Sequence, residues 1–155
     1  MWEKAIASDQ ACELCLKPGG DILWEDERCR VIRVGGKEGA DYPGFCRVIW
    51  CKHVREMSDL PAVDRNHLMA LVYATESALR SLYRPEKINL ASLGNLVPHL
   101  HWHVIPRFAD DPQFPAPIWA SKTGRPVPAR SRPAIDNLSL CQAISQALAT
   151  DRRGS

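Results

Sequence analysis

The sequence contains no apolar run long enough to cross a membrane and has little excess charge of either sign. A membrane-spanning helix needs about 20 consecutive apolar residues, and no stretch of this 155-residue chain approaches that length. The formal net charge is only +2 at pH 7, which is too small to indicate binding to nucleic acid or to a membrane surface. No internal repeat is visible. We therefore expect a globular chain whose 45% hydrophobic residues fill a core, with neither nucleic acid nor membrane as a partner.

The N-terminus also lacks the apolar segment of a secretory signal. Six cysteines are present, but they do not indicate a disulfide framework, so we expect reduced thiols and a cytoplasmic location. Cys12 and Cys15 form a C-x-x-C pair. Such a pair either binds one tetrahedral zinc ion through two thiolates or is a turn with two free thiols. A thioredoxin-type redox pair is disfavoured, because no strand–turn–helix pattern surrounds it.

Three histidines lie at alternate positions in the short stretch 98–106. They are His99, His101 and His103, and apolar residues separate them. Successive side chains of an extended strand point to opposite faces. The pattern therefore predicts a strand with its apolar face toward a core and its three imidazoles on the other face. Packing gives no reason to line a strand with three titratable rings, so the pattern indicates a functional site.

Two kinds of site use such a row of histidines. Neutral imidazole is a common ligand of zinc, copper and iron, so the row could be a metal centre. Alternatively, one neutral imidazole attacks phosphorus and a neighbour assists the leaving group. No Asp or Glu lies in or directly beside the row to complete an oxygenase-type metal set. This absence favours catalysis and leaves the metal centre as the alternative.

The stretch resembles the His-φ-His-φ-His-φ-φ signature (φ, apolar) of the histidine-triad (HIT) superfamily of nucleotide hydrolases and transferases. It is most similar to small bacterial HIT hydrolases of the dinucleoside polyphosphate hydrolase type. Residues 89–95 resemble the strand and turn that precede the triad, and residues 43–53 resemble the central strand of the family. The resemblance covers roughly residues 12–119.

The resemblance implies a reaction at the α-phosphate of a modified nucleotide of the adenosine or guanosine type. His101 matches the nucleophile that forms a covalent nucleotidyl-imidazole, His103 matches the histidine that contacts the phosphate and leaving group, and His99 matches the one that orients the site. His101 must be neutral to attack, and its other ring nitrogen needs a backbone carbonyl to select the tautomer. Asn89 and Asn95 are candidates to hold phosphate or ribose oxygens, because an amide offers donors and an acceptor.

Some positions depart from the family pattern. Many members have a fourth histidine directly after the glycine of the central strand, where this chain has Phe45 after Gly44. Some members have a serine that assists the leaving group at the position of Leu96, and many have a ribose-binding Asp where this chain reads Val-Gly-Gly at 34–36. These departures motivate a second hypothesis, a nucleotide-binding regulatory module with little turnover.

The resemblance also bears on metal binding and assembly. Some HIT proteins complete a C-x-x-C pair with the histidine that ends the central strand and with the first triad histidine. The corresponding ligand set here is Cys12, Cys15, His53 and His99, which would bind a structural zinc ion; no catalytic cofactor is expected. Protomers of the family commonly join their sheets side by side, so a homodimer is implied.

The remaining pattern predicts an α+β domain with a mostly antiparallel five-stranded sheet and one long helix. The strand-like runs are 21–24, 29–34, 45–51, 88–93 and 100–105. A helix starts near the capping residues Ser58 or Asp59 and ends by Arg84, with apolar residues at helical spacing between them. The glycine-containing segment 35–44 is expected to be a loop.

We expect the HIT domain to cover residues 1–120 and a basic, Pro-rich tail to cover residues 121–155. Within the tail, residues 121–132 are expected to be flexible and residues 136–149 to form a short amphipathic helix. Trp119 either contacts the pocket of a partner subunit or anchors the tail to the core.

Overall fold

The computed structural model describes residues 11–124 and 131–154 of the chain. At its centre is one sheet of five antiparallel strands, in the spatial order β1-β2-β3-β5-β4. The strands are β1 (Asp21–Glu25), β2 (Cys29–Arg33), β3 (Cys46–Trp50), β4 (Lys87–Ala91) and β5 (His101–Arg107). The predicted α+β class with a five-stranded antiparallel sheet is confirmed.

β5 continues through Pro106 to Arg107, two residues beyond the predicted end of this run at residue 105. β3 pairs with β5 only as far as Val104, whereas β4 pairs with it through Pro106 and Arg107. Position 106 therefore has a neighbouring strand on one side only. A proline is tolerated there, because a residue at the edge of the ladder can lack an N–H group.

Within the described residues, four α-helices accompany the sheet, and a 3-10 turn covers Met57–Asp59. The helices are α1 (Glu13–Leu16), α2 (Gly36–Asp41), α3 (Ala62–Tyr83) and α4 (Asn137–Arg153). α3 is the predicted long helix, but it begins after Pro61; Ser58 and Asp59, which were expected to cap it, lie in the preceding 3-10 turn. Its C-cap is Arg84, which has a left-handed φ of +48°. No described helix combines the length and the apolar character that a bilayer crossing requires.

The segment 35–44 is not a loop throughout, because it contains α2. The amide of Gly39 donates a hydrogen bond of 3.1 Å to the carbonyl oxygen of Gly35. One turn of the helix also places the ammonium group of Lys37 2.7 Å from the carboxylate of Asp41. Such i,i+4 ion pairs favour a helical turn. The loop prediction was therefore wrong for α2.

Apolar side chains cover both faces of the sheet. On one face, α3 and α4 pack against residues such as Val48, Leu100 and Val104, which are at most 3% exposed. A second, smaller cluster covers the opposite face, which also carries the side chains of His101 and His103. Its members are Cys12, Leu14, Ile32, Val34, Tyr42, Phe45, Ile49, Ile105 and Ile118. The histidine face of β5 is thus largely shielded from water.

α4 is longer than the predicted C-terminal helix and extends to Arg153. The carboxylate of Asp136 caps its N-terminus by accepting a 2.7 Å hydrogen bond from the amide of Ser139. Three apolar residues of α4 are buried in the core that α3 also fills. They are Leu140, Ile144 and Leu148. The C-terminal helix therefore packs on the same sheet as the rest of the chain.

The division into a domain of residues 1–120 and a tail of residues 121–155 stays a prediction. Of the segment expected to be flexible, residues 125–130 lie outside the described part of the chain.

Gly44, two residues before β3, adopts a positive φ of +86°. A Cβ atom at this position would lie 2.8 Å from Cε2 of Tyr83 and 3.1 Å from Cγ of Pro106. Gly44 thus lets the chain enter β3 close to the end of α3, which sets the position of the neighbouring residue Phe45.

We predict that Gly44→Ala lowers the free energy of unfolding by about 1–3 kcal/mol, because the substitution adds backbone strain and a steric clash. Urea unfolding monitored by circular dichroism measures this change. The matched control is Gly35→Ala, where φ is −101° and no atom lies within 4 Å of the added Cβ. The control should change stability by less than about 1 kcal/mol. Equal effects of the two substitutions would contradict the prediction.

Candidate active site and metal site

β5 brings two of the three alternating histidines together in the middle of the sheet. His101 lies opposite Ile49 and His103 lies opposite Arg47, both on β3. The two imidazole rings meet edge to face, with centroids 4.9 Å apart. His101 is 8% exposed and His103 is 6% exposed. The alternation in the sequence thus places the two rings side by side.

His99 lies outside β5, and its ring joins the cysteines. It is fully buried. Its Nε2 donates a 2.6 Å hydrogen bond to the carbonyl oxygen of Trp50, since a carbonyl can only accept. The lone pair of its Nδ1 therefore faces the Sγ atoms of Cys12 and Cys15, at 3.3 and 3.4 Å. The backbone carbonyl of His99, in contrast, contacts the ring of His101.

The carbonyl oxygen of His99 lies 2.6 Å from Nδ1 of His101. Nδ1 must be the donor in this bond, so the proton sits on Nδ1 and the lone pair sits on Nε2. Burial lowers the pKa of the His101 imidazole below its ordinary value of 6.5, although the bond to His99 opposes this effect. The nearby Arg47 lowers that pKa further. His101 is therefore a neutral ring at pH 7 with one free nucleophilic nitrogen.

His103 has the opposite tautomer. Nε of Arg47 donates a long hydrogen bond of 3.5 Å to Nδ1 of His103, which places the proton of the neutral ring on Nε2. Burial, together with His101 and Arg47, lowers the pKa of His103 to about 3. The pair thus combines an acceptor nitrogen on His101 with a donor N–H on His103.

Arg47 is the site residue that sequence reasoning missed. Its guanidinium also forms an ion pair of 3.0 Å with the carboxylate of Glu38 on α2. The signal in the sequence is a single charged residue within the otherwise apolar run 45–51. That signal becomes informative only when β3 is known to pair with β5, because this pairing sets Arg47 opposite His103.

Asn89 lies on β4 opposite Ile105, and the oxygen of its side-chain amide accepts a hydrogen bond from an arginine. Nη1 of Arg107 donates a 2.8 Å hydrogen bond to Oδ1 of Asn89. Arg107 is itself buried, and its Nε lies 2.9 Å from the carboxylate of Asp111. This arrangement leaves the amide nitrogen of Asn89 as its group for a ligand. Asn95 lies in the exposed turn between β4 and β5. The binding roles of both asparagines stay predictions.

The positions that depart from the family pattern have contrasting environments. Phe45 is buried, and its ring centroid lies 5.7 Å from that of His103. Leu96 is 97% exposed. Trp119 packs edge-on against His103 of its own chain, with the ring centroids 5.0 Å apart, and is 48% exposed. Trp119 therefore reaches the histidine pair within one protomer.

Four predicted metal ligands converge at the N-terminal end of the structure. Cys12, Cys15, His53 and His99 place their ligand atoms within 4.8 Å of one another. Sγ of Cys15 lies 3.4 Å from Nδ1 of His53. A tetrahedral zinc ion with ordinary bond lengths separates sulfur and nitrogen ligands by about 3.6 Å. The donor set and its spacing therefore fit zinc.

A second group of potential ligands, Asp26, Cys29 and His67, is already engaged in the fold. One oxygen of Asp26 accepts hydrogen bonds from two backbone amides, and the other lies 2.7 Å from Nε2 of His67. Burial raises the pKa of the Cys29 thiol far above its ordinary value. His101 and His103 belong to neither metal-ligand group within the described residues, which weighs against the histidine row as a metal centre.

The alternating histidines on strand β5 of an antiparallel α+β sheet place the protein in the histidine-triad class. The sequence model of the HIT domain family matches residues 19–110, and the chain belongs to this family. AP-4-A phosphorylase of Mycobacterium tuberculosis is 31% identical over 86 residues, which are 52% of this chain and 44% of that protein. The chain thus spans less than half the length of this curated relative.

Solved structures share the fold. A histidine triad protein from Bradyrhizobium japonicum is 28% identical, with a TM-score of 0.60 over 87% of this chain and 92% of its own. One from Marinobacter aquaeolei VT8 is 27% identical, with a TM-score of 0.60 over 84% of this chain and 90% of its own. A Zn-bound histidine triad family protein from Mycobacterium smegmatis is 20% identical, with a TM-score of 0.56 over 96% and 100%. This last likeness concerns the fold alone.

We predict that His103 makes the folded protein sensitive to acid. Its pKa is about 3 in the folded state against 6.5 for an ordinary histidine, so the unfolded chain binds more protons between these values and stability falls as the pH falls. Replacement by Gln removes this contribution. From pH 6.5 to pH 4.5, His103→Gln should therefore lose about 2 kcal/mol less stability than the wild type.

Urea unfolding at the two pH values measures this difference. Trp102→Phe is the control, because it alters the same strand without removing a titratable group. Its effect on stability should be the same at both pH values. If His103→Gln and wild type lose equal stability on acidification, the assignment of a neutral, buried His103 is wrong.

Proposed function

We propose that this HIT protein hydrolyses or transfers nucleotides at the α-phosphate through a covalent nucleotidyl-His101 intermediate. The observation that carries the proposal is the 2.6 Å hydrogen bond from Nδ1 of His101 to the carbonyl oxygen of His99. This bond leaves the lone pair on Nε2 of a neutral ring, which is the state that an attacking nitrogen needs.

The reaction takes place in two displacements. In the first, Nε2 of His101 bonds to the α-phosphorus, and the P–O bond to the leaving group breaks with its electron pair going to the leaving oxygen. In the second, water attacks phosphorus and the P–N bond breaks, which returns the electron pair to Nε2 and releases a nucleoside monophosphate. Two moderate barriers replace one high barrier.

The other site residues bind and orient the substrate. His103 carries its proton on Nε2 and donates a hydrogen bond to a phosphoryl oxygen. Asn89 and Asn95 hold phosphate or ribose oxygens through their amides. His99 acts through its backbone carbonyl, which orients the ring of His101.

We propose dinucleoside polyphosphates of the adenosine or guanosine type as the substrate. The name AP-4-A phosphorylase, borne by the relative that shares 31% identity over 86 residues, supports this class. Acyl nucleotides would undergo the same first step. In a nucleoside phosphoramidate the same nitrogen would attack phosphorus, but the bond that breaks is P–N and the departing amine needs a proton. Whether water or inorganic phosphate attacks the intermediate is read from the product, which is a monophosphate with water and a diphosphate with phosphate.

We further propose that Cys12, Cys15, His53 and His99 bind zinc. The bound ion would supply a structural crosslink and no reacting group. Cys12 directly precedes α1, Cys15 lies in α1, His53 follows β3 and His99 lies two residues before β5. By holding the ring of His99, the ligand set would also hold the carbonyl that orients His101. A fold relative from Mycobacterium smegmatis is described as Zn-bound, which agrees with this assignment.

A cytoplasmic homodimer is the proposed form of the protein. None of its six cysteines forms a disulfide in the described part of the chain, which suits a reducing compartment. β4 is an edge strand of the sheet, and an edge strand has unpaired backbone groups that can join a second sheet.

We predict that His101→Ala abolishes turnover of diadenosine tetraphosphate, with a loss of at least about a thousandfold in kcat, because the nucleophile is removed. Mass spectrometry of the rapidly quenched wild type should detect one adenylyl group on His101, and the variant should carry none. Circular dichroism checks that the variant is folded. Retained activity in folded His101→Ala protein rules out the mechanism. Tight AMP binding with negligible turnover in the wild type would instead favour a regulatory nucleotide-binding module.

We predict that the double substitution Cys12→Ser/Cys15→Ser reduces bound zinc from about one ion per chain to nearly none. The melting temperature should fall by at least about 5 °C, because the loss of a structural metal removes folding free energy. Metal analysis and calorimetry measure the two effects. Cys141→Ser, on α4, is the control and should change neither. Stoichiometric metal in the double variant would favour a metal centre at the histidine row.

A further inference from the structure

We propose that Arg47 forms a leaving-group subsite for an anionic phosphate, so that the enzyme selects substrates whose leaving group is a polyphosphate rather than an amine. This inference rests on the proposed function, because it concerns the group that departs when His101 attacks. It concerns a residue that lies on β3, outside the histidine stretch.

The position of Arg47 follows from the pairing of β3 with β5. Arg47 lies directly opposite His103, with its Nε 3.5 Å from Nδ1 of that ring. The guanidinium carbon lies 5.2 Å from the ring centroid of Phe45. An arginine over an aromatic ring is held in a defined orientation by cation–π attraction. The cation is thus fixed beside the histidine that contacts the phosphate in the proposed reaction.

The guanidinium keeps hydrogen-bonding capacity for a ligand. An arginine has five N–H donors, and within the described residues those of Arg47 reach Nδ1 of His103 and a carboxylate oxygen of Glu38. The side chain of Glu38 is 40% exposed and that of Arg47 is 22% exposed. An ion pair with so exposed a carboxylate is weak, so an incoming phosphate can share or replace it.

Arg107, another arginine on this face of the sheet, is unsuited to the same role. It is 1% exposed, and its Nε pairs with the equally buried carboxylate of Asp111. Its remaining nitrogens donate to Asn89 and to the carbonyl oxygen of Ala116. Its charge is therefore paired with Asp111, and its nitrogens donate hydrogen bonds within the fold. Arg47 combines direct contact with the histidine pair and a partly exposed guanidinium.

The chemistry of the leaving group explains the selectivity. When His101 attacks diadenosine tetraphosphate at the α-phosphorus, the P–O bond breaks and its electron pair leaves on the oxygen of ATP. That oxygen needs a positive charge beside it and no added proton. An amine leaving group needs a proton instead, and the ring of His103 has no ionised N–H to give, since its pKa is lowered to about 3. A fixed guanidinium serves the first case and not the second.

Arg47 also accounts for two departures from the family pattern. Phe45 replaces the additional histidine and supports the guanidinium instead. Leu96 replaces the serine that would assist the leaving group, and its side chain is almost fully exposed to solvent. The arginine supplies the assistance that these positions lack.

The test compares two adenylate substrates that differ in the leaving group: diadenosine tetraphosphate and adenosine 5′-phosphoramidate. Arg47→Gln should lower kcat/KM for the tetraphosphate about 100-fold, as the loss of one charge-stabilising donor commonly does. It should lower kcat/KM for the phosphoramidate at least about tenfold less than for the tetraphosphate, because the lost contact with His103 affects both substrates whereas the lost charge affects the anionic leaving group only. Arg47→Lys should recover part of the tetraphosphate activity, because the charge is kept while the planar donor set is lost.

Arg80→Gln is the matched control, since it removes one exposed positive charge from α3 on the other side of the sheet. Both substrates should react at wild-type rates in this variant. An equal loss for both substrates in Arg47→Gln, or no loss for either, overturns the subsite.

A binding measurement separates this inference from the proposed reaction. Calorimetry with a methylene-bridged, non-cleavable analogue of diadenosine tetraphosphate and with AMP gives the two affinities in wild type and in Arg47→Gln. The variant should bind the analogue at least about tenfold more weakly and bind AMP almost unchanged. If the wild type turns over neither substrate, the proposed function fails, and this pair of affinities still decides the subsite. Equal weakening of both ligands contradicts it.

Discussion

The hydrogen bond from Nδ1 of His101 to the carbonyl oxygen of His99 connects the two sites of this protein. His99 serves both sites, because its ring faces the thiols of Cys12 and Cys15 while its carbonyl selects the tautomer of His101. The bond from its Nε2 to the carbonyl oxygen of Trp50 holds the ring in this orientation. A displacement of the ring would also move the carbonyl, since both belong to one residue. The geometry of the Cys/His cluster and the tautomer of His101 are therefore coupled through a single residue.

Burial on both faces of the sheet gives the histidine pair its chemical character. The smaller apolar cluster covers the histidine face, so the charged forms of His101 and His103 are disfavoured and both rings are neutral. A neutral pair supplies a lone pair and an N–H group but no positive charge. A positive charge beside a bound phosphate therefore has to come from another residue, and Arg47 contacts the histidine pair. Arg107 is closed off by Asp111, so the fold uses one arginine to hold a loop and leaves the other beside the site.

Much of the fold could be predicted, because strands and helices have distinct local periodicities. The bounds of every strand lie within two residues of the prediction, and α3 ends before Pro85 as expected, although it begins at Ala62 rather than near Ser58 or Asp59. α2 was missed because its glycines are typical of a loop. The ion pair between Lys37 and Asp41 favours a helical turn but is a weaker signal in the sequence. α4 was predicted too short, because the apolar repeat ends at Leu148 while the helix continues on backbone hydrogen bonds. The errors lie where the pattern of apolar residues carries no information.

The sequence by itself determined which side chains share a direction over a few residues. Alternation along a strand places His101 and His103 together, and the C-x-x-C spacing places two thiols in one turn, because backbone geometry sets both. Only the tertiary structure decided which distant groups meet these residues. Cys12 contacts His99 across 87 positions of sequence, and Arg47 contacts His103 across 56. Such contacts arise from the packing of the strands and of the segments that connect them, and this packing depends on the burial free energy of the whole chain, which no local pattern contains.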